Sequence, residues 1–383
     1  MPLKTLLATL LLCLSTTIHA QELSHITNKK GSNIHFTPIK EIATTSVKSQ
    51  DQSGTCWSFA TQSFLESEIL RTNNTEVDLS EMFIVRKCYE MKADKYIRMF
   101  GKTNFSAGGE PHDVMMVIKN YGLMPQNAYP TLQDNIDHTE LDNVTSGFVN
   151  ALIKSTDKIS KKWKVAFNAL LDSYLGTEVQ SFQYNNKTYT PLTFANDMNI
   201  NPDNYIEITS FTHHPFYTTF IMEVPDNWAW GKVYNVPLAD LTAITDHAIT
   251  NNYSLAWASD VSEKGFQFKN GIAILPELEL ENTTIAQRDS LFNNPVAEKQ
   301  ITQEMRQDGF DTYATQDDHG MHINGLFKDQ TGKEYYRVKN SWGTKNDSKG
   351  YFYCSKAYFQ YKTTCIMVHK NALPADIKRK LGL

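Results

Sequence analysis

Residues 50–60 read QDQSGTCWSFA, a polar turn with one glycine, then a single cysteine followed by Trp57, Ser58, Phe59 and Ala60. From Cys56 onward the apolar residues Trp57, Phe59, Ala60, Phe64, Leu65 and Ile69 recur at helical spacing, so 56–71 is predicted as an amphipathic helix with Cys56 at its start. A helix N-terminus offers free N–H groups and partial positive charge, the conditions that stabilise a thiolate. A cysteine so placed is a core residue, half a disulfide or a nucleophile, and for an arbitrary cysteine the core reading leads. The stretch alone does not choose among them.

The bulk properties narrow the partners. The chain has 383 residues, 41% hydrophobic and 11% aromatic, with a formal net charge of -5. That is enough for a large core in two lobes, or one domain with an insertion, and it gives no general attraction to nucleic acid or anionic membrane. A peptide, protein or small-molecule substrate is the default. Residues 1–20 carry Lys4, an apolar run over 6–14 and a polar stretch ending in Ala20, the pattern of a signal peptide, so a soluble periplasmic or extracellular protein is expected. Beyond it stand Cys56, Cys88, Cys354 and Cys365, too few for a disulfide framework; Cys354 with Cys365 is the favoured pair, and the reduced state is the alternative.

Residues 21–36 are polar and read as a loose leader, and 37–131 as a helical lobe. Its later helices are expected from Ser80, a cap before an apolar face that includes Cys88, and over 112–122 after AGGEP, ending at Gly122. Residues 132–205 are Asn- and Lys-rich, with a helix near 160–176, and read as an insertion. From 206 to 383 short β-type runs dominate, such as TTFIMEV, YSLAWASDV and YYRVKNSW, broken by one helix near 238–251. Helices first and strands second imply an α+β fold of two lobes with a cleft between them.

The segments DDHGMHINGLF at 317–327 and YYRVKNSWGTKNDSKGYF at 335–352 supply what Cys56 lacked. A histidine entering one strand and an asparagine ending another suit a thiol–imidazole pair with an orienting amide, in which the histidine takes the thiol proton to form an ion pair. Gln50 stands where its amide, with the Cys56 N–H, would make an oxyanion hole. Together Gln50, Cys56-Trp57-Ser58-Phe59-Ala60, Gly108-Gly109, Asp318-His319-Gly320 and Asn340-Ser341-Trp342-Gly343 resemble the papain-like cysteine peptidases, in the order that family uses. FTHHPFY at 211–217, VPDNW at 224–228 and YNVPLADL at 234–241 resemble its bleomycin hydrolase and aminopeptidase C branch. The resemblance implies a papain-like two-lobe fold with a helical insertion. It implies Cys56 as nucleophile, His319 as base then acid, Asn340 as orienter, Gln50 as oxyanion donor, Trp342 as shield, and Gly108 and Gly109 as the wall for extended substrate. It implies no cofactor. Ser53 and Ser106 stand where papain proper has a disulfide pair.

Several points remain open on sequence. The branch restricts itself to amino-terminal cleavage with a C-terminal arm in the cleft, and the present chain ends in VHKNALPADIKRKLGL, shorter than that arm, so aminopeptidase and endopeptidase both stand. A non-catalytic peptide-binding relative and an acyl-transferase are the rivals from other classes. A homo-oligomer is compatible with the branch. His322, an odd separation from His319, points to the other face of the strand and reads as structural. Asp318 and Glu110 are placed to line the expected cleft, where they would suit a basic or amine-bearing residue, but for each the ordinary solvated carboxylate is the leading reading. His213 and His214, taken as adjacent strand residues, would diverge without a carboxylate partner, so no metal is expected.

Overall fold

The computed structural model describes residues 26–132, 135–154 and 158–383, so the expected signal peptide lies outside the described residues. The helical lobe is built on α1 (Cys56–Asn73), α2 (Glu81–Arg98) and α3 (Pro111–Tyr121). Ser80 caps α2 by accepting from the Phe83 N–H at 3.2 Å, and α3 stops at Gly122, whose φ of 94° a side chain would oppose. Both ends fall where the cap residues in the sequence put them.

Residues 135–204 contribute α4 (Thr139–Ile153), α5 (Lys162–Leu175), a hairpin Phe182–Tyr184 with Lys187–Tyr189, and α6 (Pro191–Asp197). These do not form a unit of their own. Leu141, Val149, Phe167, Leu171 and Phe194 share one buried cluster with Phe64, Leu65 and Val85 from α1 and α2. The insertion thus completes the core of the helical lobe, since α2 would otherwise present an apolar face to water.

The second lobe is a sheet that, among the described residues, has 12 strands. Its central run is Tyr205–Thr209, Thr363–His369, Leu255–Ser259, His319–Asp329, Glu334–Lys339 and Tyr351–Ser355, side by side in that order. One helix of this lobe, α7 (Leu238–Thr250), falls where it was expected; α8 (Ile285–Leu291), α9 (Gln303–Asp311), α10 (Lys356–Lys362) and α11 (Ala375–Lys380) do not appear in the sequence reading. All four are short or strongly polar, and hydrophobic periodicity is weak in such segments. Leu373, Ile377 and Leu381 bury α11 and its flanks in the core of the β-rich lobe, beside Leu241 and Ile244 of α7.

The reading of 21–36 as a loose leader is corrected for its described part. Ile26–Thr27 pairs with His35–Glu41, which in turn pairs with His319–Asp329, and Ile34 and Phe36 are buried against Tyr335 and Tyr353. Two apolar side chains amid polar neighbours suffice once a sheet edge offers partners. The cysteines are all unbridged among the described residues, Cys354 and Cys365 included.

The lobes meet where α1 crosses the start of strand His319–Asp329. A Cβ on Gly320 would stand 3.1 Å from the Trp57 Cα, 3.2 Å from its N and 3.3 Å from the Cys56 carbonyl carbon. These are backbone atoms of a helix, unable to give way as a side chain would. Gly320→Ala should therefore lower stability by about 1–3 kcal/mol, measured by urea denaturation; unchanged stability would contradict so close a crossing.

Candidate active site

Cys56 opens α1 with no side chain capping the helix, so its first N–H groups remain available. The Gly320 and Trp57 backbone N–H groups point at its sulfur. Trp57 is buried and donates from Nε1 to the Ala107 carbonyl at 3.0 Å, which fixes the first turn against the 107–109 segment.

His319 begins its strand, pairs with Ser259, and is buried. Its Nε2 lies 2.7 Å from the Asn340 Oδ1, and that oxygen also accepts from the Ser341 N–H at 2.8 Å. With the amide oxygen as acceptor, Nε2 carries the hydrogen and Nδ1 is the basic nitrogen. The Trp342 ring lies 4.6 Å from the imidazole, centroid to centroid, and Phe266 and Phe268 pack edge-on against it. Gln50 is locked to the same loop: its N–H donates to the Ser341 carbonyl at 2.8 Å, and its Oε1 accepts from the Ser341 hydroxyl at 2.7 Å. One Nε2 hydrogen goes to the Ser53 carbonyl at 2.7 Å, leaving the second free.

Cys56 and His319 line one pocket, together with Gly109, Glu110, Asp317 and Asp318. Gly108 does not line it. The Gly108 carbonyl accepts from Lys92 Nζ, and a Cβ there would fall 1.8 Å from the Asp226 Oδ2, so that carboxylate covers the glycine. The expected two-glycine wall is reduced to Gly109. Asp318 is largely exposed, with Oδ1 accepting from the Val261 N–H at 2.8 Å, whereas Asp317 faces Glu110. Asp317 and Asp226 were given no role in the sequence reading; the pair of aspartates before His319 was the one signal for the first, and the VPDNW segment that of the second. Ser53 and Ser106 are each hydrogen-bonded, to the Gln50 carbonyl at 2.7 Å and to Asp226 Oδ1 at 3.3 Å, so neither position is left vacant by the missing bridge.

His322 behaves as alternation requires. It is fully buried against α1, with Nδ1 2.9 Å from the Ser63 hydroxyl. The geometry expected of His213 and His214 is corrected: they occupy a turn, and their Nε2 atoms converge on Glu223 at 3.2 and 3.7 Å. A turn removes the alternation that would have separated them.

Chain comparisons agree with this geometry. Residues 177–382 match the model of the Peptidase C1-like family, and residues 35–199 that of the papain family of cysteine proteases. The chain belongs to the Peptidase C1-like family. Within this family of cysteine-type peptidases it is 23% identical to Aminopeptidase C of Lactobacillus delbrueckii subsp. lactis, over 88% of this chain and 82% of that one. It is 22% identical to the mitochondrial Cysteine proteinase 1 of Saccharomyces cerevisiae (strain YJM789), over 92% and 80%. The crystal structure of PepW from Lactobacillus rhamnosis HN001 superposes with a TM-score of 0.72 at 20% identity, covering 90% of this chain and 84% of that one, which establishes the papain-like fold.

Burial governs the protonation of the pair in this C1-like cleft. It pushes the Cys56 thiol up to about 12, the Gly320 N–H opposing and Asp317 and Asp226 adding to the rise. It pushes the His319 imidazole down to about 4, against the Asn340 hydrogen bond. Taken singly, each group is held neutral by burial, so the expected ion pair would have to offset both costs. The unfolded histidine, near 6.5, takes up a proton that the folded one refuses until about 4. Its neutral burial is therefore fully compatible with folding above 6.5, and stability falls as pH drops from there to about 4. Denaturation midpoints should show a shallower acid loss in His319→Gln, by on the order of 3 kcal/mol over that window; an unchanged or steeper loss would contradict the neutral burial of His319.

Proposed function

We propose that this protein hydrolyses peptide bonds through a thioester on Cys56 and removes residues from free amino termini. The observation that carries the reading is the His319–Asn340 hydrogen bond of 2.7 Å in the pocket that also holds Cys56. As the sulfur attacks the carbonyl, its proton passes to His319 Nδ1, and the imidazolium is held in orientation by Asn340. The Cys56 N–H and the remaining Gln50 N–H stabilise the oxyanion, a contribution of about 3 kcal/mol per donor in comparable sites. The carbonyl–nitrogen bond then breaks, His319 returns the proton to the leaving amine, and water released of a proton by the same imidazole cleaves the thioester.

Amino-terminal action is supported by the relatives, Aminopeptidase C among them, and by the Asp226 carboxylate that covers Gly108. Internal cleavage is the second reading: α11 is packed beside α7, and no residue of 370–383 lines the described pocket. The reading includes residues 1–20 as a removable export signal, tested by sequencing the mature N-terminus; retention of Met1 would reject it.

Cys56→Ala should abolish hydrolysis and labelling by thiol-directed epoxides, while Cys88, Cys354 and Cys365, all buried, stay unlabelled. Labelling that persists in Cys56→Ala would refute the assignment. Mass spectrometry of products from free and acetylated peptides separates the two modes: stepwise loss from free N-termini alone marks an aminopeptidase, cuts within acetylated peptides an endopeptidase.

A further inference from the structure

The pocket beside Cys56 is lined by four carboxylates, Glu110, Asp226, Asp317 and Asp318, and among its lining residues there is no lysine or arginine. Glu110 is only 3% exposed, yet its Oε1 has no hydrogen-bond partner among the described residues; the rest of the carboxyl meets the Cys365 thiol, with Oε2 at 3.9 Å, and shares a side-chain hydrogen bond with Asp317. Of the neighbouring buried carboxylates, Asp113 also keeps one oxygen, Oδ1, without a hydrogen bond, but it lies 3.6 Å from His112 Nε2. Glu207 accepts from the His112 N–H at 2.9 Å and lies 2.8 Å from its Nδ1, and Asp113 accepts from the Glu110 N–H at 3.0 Å and from Trp228 Nε1 at 2.8 Å. Asp317, facing Glu110, is oriented by the Thr364 hydroxyl at 2.7 Å. A buried carboxylate oxygen with no donor is costly unless a ligand supplies one.

We propose, building on the peptidase reading above, that this pocket receives the free α-ammonium of a peptide substrate between Glu110 and Asp317, with Asp226 closing the groove beyond it. The α-nitrogen of a first residue stands two bonds from the carbonyl under attack, so its anchor has to border the thiol, as this pocket does. Asp226 is held in place by Asn104 Nδ2 at 2.9 Å and the Ser106 hydroxyl at 3.3 Å, and it lies over Gly108, whose carbonyl is already taken by Lys92. A chain extending past the first residue therefore loses the Gly108 edge and meets a carboxylate, whereas an ammonium with its three donors is drawn to the carboxylates. Burial, then the charge of Asp317, holds the Glu110 carboxyl well above its usual range, and an arriving cation relieves that repulsion.

The test is binding to the Cys56→Ala protein, which reports the anchor without turnover. Calorimetry compares the tripeptide Leu-Gly-Gly, its N-acetyl form, and N-acetylated Lys-Leu-Gly, whose only ammonium is on a side chain. The free tripeptide should bind about 10- to 100-fold more tightly than its acetyl form, and this preference should vanish when Glu110→Gln and Asp317→Asn are added. Asp317→Asn alone, at a half-buried position, should remove most of it and guards against a double variant that does not fold. Equal affinity for free and acetylated Leu-Gly-Gly overturns the proposal, and tighter binding of the acetylated lysine peptide overturns it in favour of a basic side-chain pocket. Turnover by the unmodified protein is read separately. No hydrolysis with the amine preference intact would sink the peptidase reading and leave the anchor standing; hydrolysis indifferent to acetylation would do the reverse.

Discussion

The crossing of α1 over the first residues of strand His319–Asp329 is the contact on which the rest of the site depends. Two backbones approach so closely there that a Cβ would press against the helix backbone at 3.1–3.3 Å, and Gly320 avoids that contact. The approach does two things at once. It directs the Gly320 N–H at the Cys56 sulfur, and it places the residue before it, His319, at the mouth of the same pocket. Cys56 and His319 are thus positioned by main chain, one from each lobe.

Beneath that crossing lies a buried charge network that ties the lobes together. Lys48 bridges Glu66 at 3.2 Å, Glu81 at 2.6 Å and Asp78 at 2.5 Å, while Lys339, at the end of a central strand, donates to Thr45 at 3.1 Å. Burial works against the Lys48 charge, but Glu81, Glu66 and Asp78 outweigh it and hold its proton firmly. Such a network adds little net stability over an apolar core, and removing one member leaves a buried charge without a partner. Its geometric role is plainer: Lys339 immediately precedes Asn340, so the network anchors the strand end from which the amide reaches His319.

The same two-lobe plan explains an acidic cleft. Glu110 comes from the start of α3, Asp226 from the loop before Trp228, and Asp317 from the residues leading into His319. No pair of them is local. Two of them are supported by different neighbours, Asp226 by Asn104 and Ser106 and Asp317 by Thr364, so the charge concentration is built by the fold and held against its own repulsion.

What was legible in the sequence was whatever local rules record. The helix over 56–73 follows from its apolar spacing, the start of α2 from Ser80, the end of α3 from Gly122, and the separation of His319 from His322 from strand alternation. The motif order alone placed Cys56, His319 and Asn340 in one family, and sequence context could carry that because each residue sits at the end of an element with its own signature. The rest depended on distance. That residues 35–41 join the sheet with Ile34 and Phe36 buried, that the insertion completes the helical core, that Asp226 rather than solvent covers Gly108, and that Glu110 Oε1 is left without a partner are facts about segments tens to hundreds of residues apart. Periodicity and capping are short-range, whereas burial and like-charge repulsion are set by whichever chain segment packs alongside, and only the tertiary structure decides which one that is.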